Sequence, residues 1–485
     1  MLFTEPIFLF AFLPILLALY FLRRGRGRYA NLLLVLASIV FYAKGGGSFT
    51  WLMLASIAFN YLMAIGVDRA RAYGRDRAVL GLAVAVNLLV LGVFKYANFF
   101  ADNLSTVSVT LGGQGVDLPR VVLPIGISFY TFHAISYVVD VYRRDAVAQK
   151  SPVHAALYLL LFPQLIAGPI VRYRYLAGQL AKRIVSLDDF AWGVRRFAIG
   201  LGKKVLIANT VAEVVDKIFA LPAGQLSPAH AWLAVTCYTL QIYFDFSGYS
   251  DMAIGLGRMF GFRFPENFRW PYVADSVQDF WQRWHMSLSS WFRDYLYIPL
   301  GGNRVSSART YANLLIVFFL CGLWHGANWT FVIWGLYHGA FLVLERLGLG
   351  NVLTQTWRPV RHAYLLLVTM TGWVFFRAET FSSAAAMLGA MAGRSASALT
   401  PFSVQWYLTP PVVIALAAGC IGSLPIGPFL DSWRARRLAA AGDAEQAGVS
   451  RALAAASAVA VAFLLIVSIA QIAARTYNPF IYFRF

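Results

Sequence analysis

Charged residues are few in this chain. They make up 13% of its 485 residues, whereas about 25% is typical of a soluble globular protein. Hydrophobic residues make up 59% of the sequence, and the mean hydropathy is +0.62. Such a chain has too few polar side chains to cover a surface in contact with water. The composition therefore excludes an ordinary soluble enzyme and indicates an integral membrane protein.

Acidic residues are scarcer than basic ones. The sequence has 41 Lys and Arg against 22 Asp and Glu, which gives a formal net charge of +19. In a soluble domain such an excess indicates nucleic-acid binding, whereas in a membrane protein it indicates basic cytoplasmic loops. Because the arginines cluster between apolar runs, we favour the second interpretation and expect a lipid bilayer rather than nucleic acid around the chain.

Cysteine is rare, and the common site motifs are missing. Cys237, Cys321 and Cys420 are far apart and lie in apolar stretches, so we expect buried free thiols and no metal site. The sequence has no G-x-x-x-x-G-K-[ST] phosphate loop, no H-E-x-x-H and no nucleophile elbow. These absences argue against P-loop nucleotide-binding proteins, zinc proteases and serine hydrolases.

Basic clusters follow alternate apolar runs in the N-terminal part of the chain. The first five apolar runs lie near 7–22, 30–43, 49–66, 78–96 and 121–142. Arginines follow the third and fifth runs, and the first run is followed by Arg23, Arg24, Arg26 and Arg28. Because basic loops stay in the cytoplasm, this pattern predicts a periplasmic N-terminus. The start of the chain has no basic n-region and no cleavage site follows, so we expect the first run to be retained rather than cleaved. The weakly charged stretch 97–120 is then expected to be an external loop.

Interruptions mark the central part of the chain. The run 153–170 has basic flanks on both sides and is broken by prolines, which predicts a re-entrant segment. Residues 251–310 are too polar to span and predict an amphipathic segment that lies at the cytoplasmic interface or dips partly inward. The run 311–344 is interrupted near His325, which predicts two short helices that meet there.

Overall the sequence predicts an all-α polytopic integral membrane protein with about 11 to 13 membrane elements, including re-entrant segments.

His325 is the strongest candidate for a chemical role. It lies in LCGLWHGANW, within an apolar stretch, and an ionisable residue in such a setting is a functional-site hypothesis by default. A neutral imidazole can act as a general base. The alternative is a core histidine whose ring is satisfied by a neighbouring carbonyl. His338, 13 residues further on, falls on another face of a continuous helix, and we expect it to be structural.

His285 lies in the tryptophan-rich segment WQRWHMSLSSWF. Seven of the 14 tryptophans fall between Trp270 and Trp334, where they mark either a membrane interface or the wall of a pocket. The apolar positions around His285 follow helical spacing, so a packed amphipathic helix explains them without any function. If a pocket is present, candidate substrate contacts in this region are Trp281, Trp284, Trp324 and Asn328.

Several longer segments carry a family resemblance. They are VLPIGISFYTFHAISYVVDVYR (122–143), FPQLIAGPIVRY (162–173), IYFDFSGYSDMAIGLGRMFGFRFPENF (242–268), WQRWHMSLSSWFRDYLYIPLGGNR (281–304), LWHGANWTFVIWGLYHG (323–339) and NPFIYFRF (478–485). Together they resemble the membrane-bound O-acyltransferase family, in the branch that serves O-acetylation of bacterial polysaccharides such as alginate. The resemblance implies a ring of helices around a thinned centre. It also implies N-terminal helices (1–120), a catalytic core (121–346) and C-terminal helices (347–485) within one membrane domain.

The resemblance further implies acyl transfer across a bacterial inner membrane. His325 matches the family's essential histidine and would act as general base, while His285 matches a second polar position. The donor is expected to be a cytoplasmic acyl thioester such as acetyl-CoA, with no cofactor bound permanently. The expected partner is a periplasmic acetyltransferase that passes the acetyl group to the polysaccharide.

Two other functions stay open at this point. One is a transporter or flippase for a lipid-linked sugar, in which His325 would relay protons. The other, within the same family, is a D-alanyl exporter fed by a carrier protein.

Overall fold

The computed structural model describes residues 1–22, 27–116, 118–394, 402–440, 443–474 and 477–480. Within these ranges the chain forms α-helices, joined by loops and short π- and 3₁₀-helical turns, and no β-strand. The helices are α1 (Leu13–Leu22), α2 (Gly27–Gly46), α3 (Phe49–Ala70), α4 (Asp76–Thr110), α5 (Ile127–Arg143), α6 (Pro152–Leu160), α7 (Phe162–Leu165), α8 (Tyr173–Ala181), α9 (Leu187–Gly202), α10 (Asn209–Phe219), α11 (Pro228–Met259), α12 (Val277–Arg283), α13 (Met286–Phe292), α14 (Ser307–His325), α15 (Trp329–Leu344), α16 (Gly350–Gln355), α17 (Arg358–Arg377), α18 (Phe381–Met391), α19 (Val404–Tyr407), α20 (Pro410–Gly422), α21 (Ile426–Ala440) and α22 (Asp443–Ala474).

Six helical stretches in the described ranges are long and apolar enough to cross a membrane. They are Gly27–Gly46, Phe49–Tyr73, Asp76–Thr110, Ser307–His325, Trp329–Gln355 and Gly448–Ala474. A seventh is present if α20 and α21, which are bent by 63° at a short break, form one span. The all-α polytopic class is therefore confirmed. The predicted 11 to 13 elements also include short and re-entrant segments, which this length criterion does not count.

The predicted re-entrant run is helical only in part. α6 and α7 are short, and the chain then continues to residue 172 without helix, yet nearly all of it is buried. Side chains satisfy its backbone groups, since the amide of Val171 donates to His133 Nε2 (3.2 Å) and that of Ile170 donates to Ser287 Oγ (3.0 Å). Irregular backbone at membrane depth needs such partners within the protein.

Two predicted loop or interface segments are helical in the structure. Most of the predicted external loop 97–120 belongs to α4, which continues to Thr110 and ends just before Gly112, a residue with φ +83°. The segment 97–110 has no proline or glycine to stop the helix. Likewise α11 continues to Met259, so the predicted interface segment begins later than residue 251. Asp251, at the start of that segment, is buried and pairs with Lys203 (2.7 Å).

The expectation of buried thiols is wrong for one cysteine. Cys237 and Cys321 are buried, whereas Cys420 is exposed near the C-terminal end of α20. An apolar sequence around a cysteine predicts burial only in a water-soluble protein, because a helix surface that faces lipid is apolar too. Two sequence predictions lie outside the described residues: the arginine cluster at 23–26 and the tail from 481 onward.

Candidate active site

His325 is the last residue of α14. The chain after it is extended at Gly326 (φ −164°, ψ 147°), and Asn328 then caps α15 by accepting a hydrogen bond from the amide of Thr330 (3.1 Å). The predicted interruption near His325 is therefore present, between two helices of one hairpin. The side chain of His325 is 4% exposed.

Close backbone contact holds this hairpin together. A Cβ at Gly322 would lie 2.3 Å from the carbonyl oxygen of Phe331, and one at Gly335 would lie 2.2 Å from that of Phe318. Only glycine fits at either position without a shift of the backbone. Small residues of this kind let helices approach closely in membranes, where hydrophobic burial no longer drives helix association. The contact places His325 against the first turns of α15.

Aromatic rings enclose the imidazole of His325. The ring centroids of Trp324, Trp334 and Phe376 lie 4.9, 5.0 and 5.2 Å from that of His325, all in edge-to-face arrangements. These rings come from α14, α15 and α17 and separate the imidazole from the bulk of the membrane. The arrangement fits a shaped pocket around a polar group.

His285 does not lie on a continuous helix, so the expectation of one amphipathic stripe is wrong. α12 ends at Arg283, and His285 itself adopts a left-handed backbone conformation (φ 43°, ψ 53°) before α13 begins. Asn267 fixes this break from a distance of 18 residues, because its carbonyl oxygen accepts hydrogen bonds from the amide of Met286 (2.9 Å) and its side-chain Oδ1 accepts from Ser287 Oγ (2.9 Å).

The Asn267 side chain also orients the fully buried imidazole of His285. Its Oδ1 lies 3.2 Å from His285 Nδ1. Its Nδ2 donates to Ser250 Oγ (3.0 Å), and this second bond fixes the amide so that its oxygen faces the imidazole ring. Because an amide oxygen only accepts, the neutral ring carries its hydrogen on Nδ1. Nε2 is then a bare acceptor, and it has no hydrogen-bond partner within the described part of the chain.

The structure brings the two predicted histidines together around Trp324. The centroid of the Trp324 ring lies 6.3 Å from that of His285 and 4.9 Å from that of His325. Residues that are 40 positions apart in the chain thus share one buried space.

The other predicted contact residues are distributed around this space. Trp284 packs on Trp373 (4.9 Å) and Trp281 on His338 (5.2 Å), so both belong to an adjacent aromatic cluster. Asn328 lies on the opposite side and donates to the carbonyl of Glu379 (2.9 Å). Among the four, Trp324 is the one that touches both histidine rings.

Two adjoining cavities lead to His325. The inner cavity, about 120 Å³, is lined by Lys95, residues 123–129, Ile166, Trp324 and His325. The outer cavity, about 510 Å³, is lined by Phe94, Lys95, Asn98, Phe99, Asp102, Asn103, Val121, Leu123 and residues 326–329 and 331. Lys95 and Leu123 line both cavities. Exposed residues such as Trp329 place the outer cavity at the surface, on the side predicted to be periplasmic.

Several arginines form ion pairs with Asp or Glu side chains. Arg172 and Arg174 both contact Asp294, at 2.5 and 3.4 Å. Burial raises the pKa of Asp294, but hydrogen bonds and charge from Arg293 and Arg172 outweigh that effect and hold the pKa below its usual value. Arg196 and Arg258 likewise pair with acidic residues. These ion pairs neutralise part of the positive charge, so fewer arginines are available to bind an anionic donor.

Asn267 and Lys95 are the site residues that sequence reasoning missed. Asn267 lies within a segment that carried the family resemblance, but nothing in the sequence linked it to His285. Lys95 lies at the end of an apolar run, where a lysine is expected to mark the membrane surface. No group of three or more His, Cys, Asp or Glu side chains in the described ranges could hold a metal ion.

The chain belongs to the membrane-bound O-acyltransferase family, whose family model matches residues 116–382. It is thus a multi-pass membrane acyltransferase, and the resemblance noted in its sequence is confirmed. The matched range contains both His285 and His325.

Similarity to individual relatives extends over the whole chain. It is 44% identical to "Probable alginate O-acetylase AlgI" of Azotobacter vinelandii and 43% identical to the protein of the same name in Pseudomonas putida, with 100% of both chains covered in each case. It is also 37% identical to "Peptidoglycan O-acetyltransferase" of Helicobacter pylori, over 84% of this chain and 82% of the relative. The relatives' names support an O-acetyltransferase activity.

Proposed function

We propose that this protein moves acetyl groups from a cytoplasmic thioester, with acetyl-CoA as donor, across the bacterial inner membrane for O-acetylation of an exopolysaccharide such as alginate. The observation that carries the proposal is the meeting of His285 and His325 around Trp324, next to cavities that open on the predicted periplasmic side. Full-length similarity to two alginate O-acetylases supports the substrate class.

In the proposed reaction, His325 acts as general base. It takes the proton of the acceptor hydroxyl while the oxygen attacks the thioester carbonyl carbon. As the tetrahedral intermediate collapses, the carbon–sulfur bond breaks, the acetyl ester forms on the acceptor and the proton passes to the departing thiolate. Because both substrates are held in one enclosed space, part of the rate gain comes from their proximity.

His285 is proposed to orient the acceptor. Its Nδ1 hydrogen is directed at Asn267, so the neutral ring presents Nε2 as an acceptor. This acceptor favours a hydrogen bond from the acceptor hydroxyl to Nε2. Donation from Nε2 to an oxyanion would require the protonated ring. Trp324, Trp281 and Trp284 are proposed to form the wall along the substrates, and Asn328 to contact the acceptor in the outer cavity.

The direct acceptor is proposed to be a hydroxyl on a periplasmic acetyltransferase partner, which then modifies the polysaccharide. A periplasmic N-terminus, and no permanently bound cofactor, are part of the same proposal. Membership of an acyltransferase family favours acyl transfer over the transport of a lipid-linked sugar by a flippase. Full-length similarity to acetylases favours an acetyl donor over a D-alanyl donor.

The test measures release of the donor's free thiol by the purified protein in lipid nanodiscs, which is CoA when acetyl-CoA is the donor and the carrier's own thiol when a carrier protein charged with D-alanine is the donor. We expect turnover of acetyl-CoA, no requirement for a proton gradient, and loss of turnover in His325→Ala. His154→Ala serves as control, because His154 lines neither cavity and is only half-buried. Full turnover by a folded His325→Ala variant would contradict the mechanism, and turnover of the D-alanyl carrier alone would contradict the donor.

A further inference from the structure

Lys95 is a buried lysine inside a membrane-spanning helix. It lies within α4, and its side chain is 7% exposed. An ionisable group at such a position is costly and therefore needs specific partners. In the described part of the chain no carboxylate forms an ion pair with Lys95, so the partners must be neutral groups.

The partners of Lys95 are acceptors around the end of α14. Its ammonium donates to Ser128 Oγ (3.2 Å), to the carbonyl oxygen of Trp324 and to that of His325 (3.5 Å). An ammonium has three N–H donors, and these three acceptors use all of them. Lys95 therefore lines both cavities without a free donor for a substrate.

The next residue of α4 completes the same pattern. Tyr96 Oη donates to the carbonyl oxygen of Leu323 (2.8 Å). The last four carbonyls of an α-helix have no partner within the helix, and its C-terminal end carries partial negative charge. Residues 95 and 96 thus cap three successive carbonyls, 323 to 325, and the positive charge of Lys95 lies where the helix end favours it.

We propose that Lys95 is a positioning residue for acyl transfer: by capping the end of α14 it fixes the backbone that presents the His325 imidazole between the two cavities. The inference builds on the proposed role of His325 as base. Without the ammonium, two buried carbonyls lose their partner and the last turn of α14 is free to fray. A displacement of about 1 Å at a reacting group lowers turnover by roughly 10²-fold.

The test compares Lys95→Met, which keeps the length of the side chain, with Lys95→Arg, which keeps the charge and the donors. Tyr96→Phe is the matched control, because it removes the neighbouring cap without removing a charge. With acetyl-CoA as donor, we expect Lys95→Met to lower kcat about 10- to 100-fold at an unchanged KM. Lys95→Arg should recover at least part of that loss, and Tyr96→Phe should lose less than about threefold.

A second measurement does not depend on catalysis. The rate at which diethyl pyrocarbonate modifies His325, resolved by peptide mass spectrometry, reports how firmly the ring is held and enclosed. We expect this rate to rise severalfold in Lys95→Met, with His154 unchanged as internal reference. If wild-type protein fails to use acetyl-CoA, the proposed function fails and the labelling rates still decide the role of Lys95.

Three results would overturn the inference. One is an unchanged labelling rate together with an unchanged kcat in Lys95→Met. Another is a raised KM for the acceptor at constant kcat and constant labelling, which would make Lys95 a substrate-binding residue. The third applies if Lys95→Met does not fold: equal losses in Lys95→Arg and Tyr96→Phe would then show a general packing role.

Discussion

The two histidines of the candidate site both lie at helix interruptions, but the interruptions are stabilised in different ways. The break at His285 separates two helices of seven residues and depends on one asparagine, Asn267, 18 positions away. The break after His325 joins two long helices and is held by their backbone contact and by α4, more than 220 positions away. A local network thus fixes one ring, and long-range packing fixes the other.

This difference indicates which substitutions each half of the site tolerates. At the local network, removal of one side chain should disturb His285 and leave the helices in place. At the helix hairpin, substitutions should act through the packing of α14 on α15, with consequences for the whole protein. Substitutions at each break can separate these two cases.

The largest effect is expected for Gly322→Ala, at the hairpin. The added methyl group would lie 2.3 Å from the Phe331 carbonyl oxygen, so the helices must separate. Because the obstacle is backbone rather than a flexible side chain, we expect at least the upper end of the about 1–3 kcal/mol that overpacking costs, with a lower melting temperature and loss of acetyl transfer. Gly389→Ala in α18, where the new methyl group meets no atom of another element within 4 Å, is the control and should lower neither. Wild-type stability of Gly322→Ala would refute the packing argument.

A smaller effect is expected for Asn267→Leu, at the local network. The substitution removes the oxygen that accepts from His285 Nδ1 and from Ser287 Oγ, so these two buried donors lose that acceptor, while Ser287 Oγ still accepts from the Ile170 amide. We expect a loss of about 1–3 kcal/mol in the free energy of unfolding, with reduced transfer activity in the protein that stays folded. Asn351→Leu, at an exposed position of α16, is the comparison variant for denaturation curves in detergent. Equal curves for the two variants would show that Asn267 does not fix the break.

The backbone at His285 predicts a difference between two substitutions. Asparagine tolerates the left-handed region, whereas a β-branched residue does not. His285→Val should therefore be less stable than His285→Asn by about 1–2 kcal/mol, measured by thermal unfolding of both variants. If the two variants unfold at the same temperature, the left-handed conformation is not retained in the protein.

The smallest expected effect is a dependence of stability on pH, and it concerns an ion pair next to α13, the helix that follows His285. Asp294 follows α13 and pairs with Arg172 of the irregular segment; its pKa is lowered in the folded protein. Its contribution to stability is present above the ordinary carboxyl pKa of about 3.9 and is lost as pH falls below it toward the folded value. The melting-temperature difference between wild type and Asp294→Asn should therefore shrink below about pH 4. A difference that stays constant with pH would exclude a role for this ion pair.

The interruption near His325 could be predicted because its signal is local. Gly326 and Asn328 mark the end of one helix and the cap of the next, within a run too long for one span. The all-α membrane class and the re-entrant run were predictable for the same kind of reason, from composition and from prolines.

The break at His285 could not be predicted, because helical spacing of apolar residues continues straight through it. Its cause is a side chain from another segment, which overrides local propensity. The role of Lys95 was hidden for a similar reason. A lysine at the end of an apolar run resembles a surface anchor until the end of α14 is placed beside it.

The exposed Cys420 gives the protein a thiol that can report membrane depth. It lies two residues before the end of α20, where the chain bends by 63° into α21. The other two thiols, Cys237 and Cys321, are buried, so a maleimide that cannot enter hydrocarbon would react at this position first. Rapid labelling would place the bend in water, as in two separate helices that meet at the membrane surface, and slow labelling would place it inside the bilayer, as in a re-entrant pair or one broken span. The unmodified protein can therefore show whether the bend between α20 and α21 lies in water or in the bilayer.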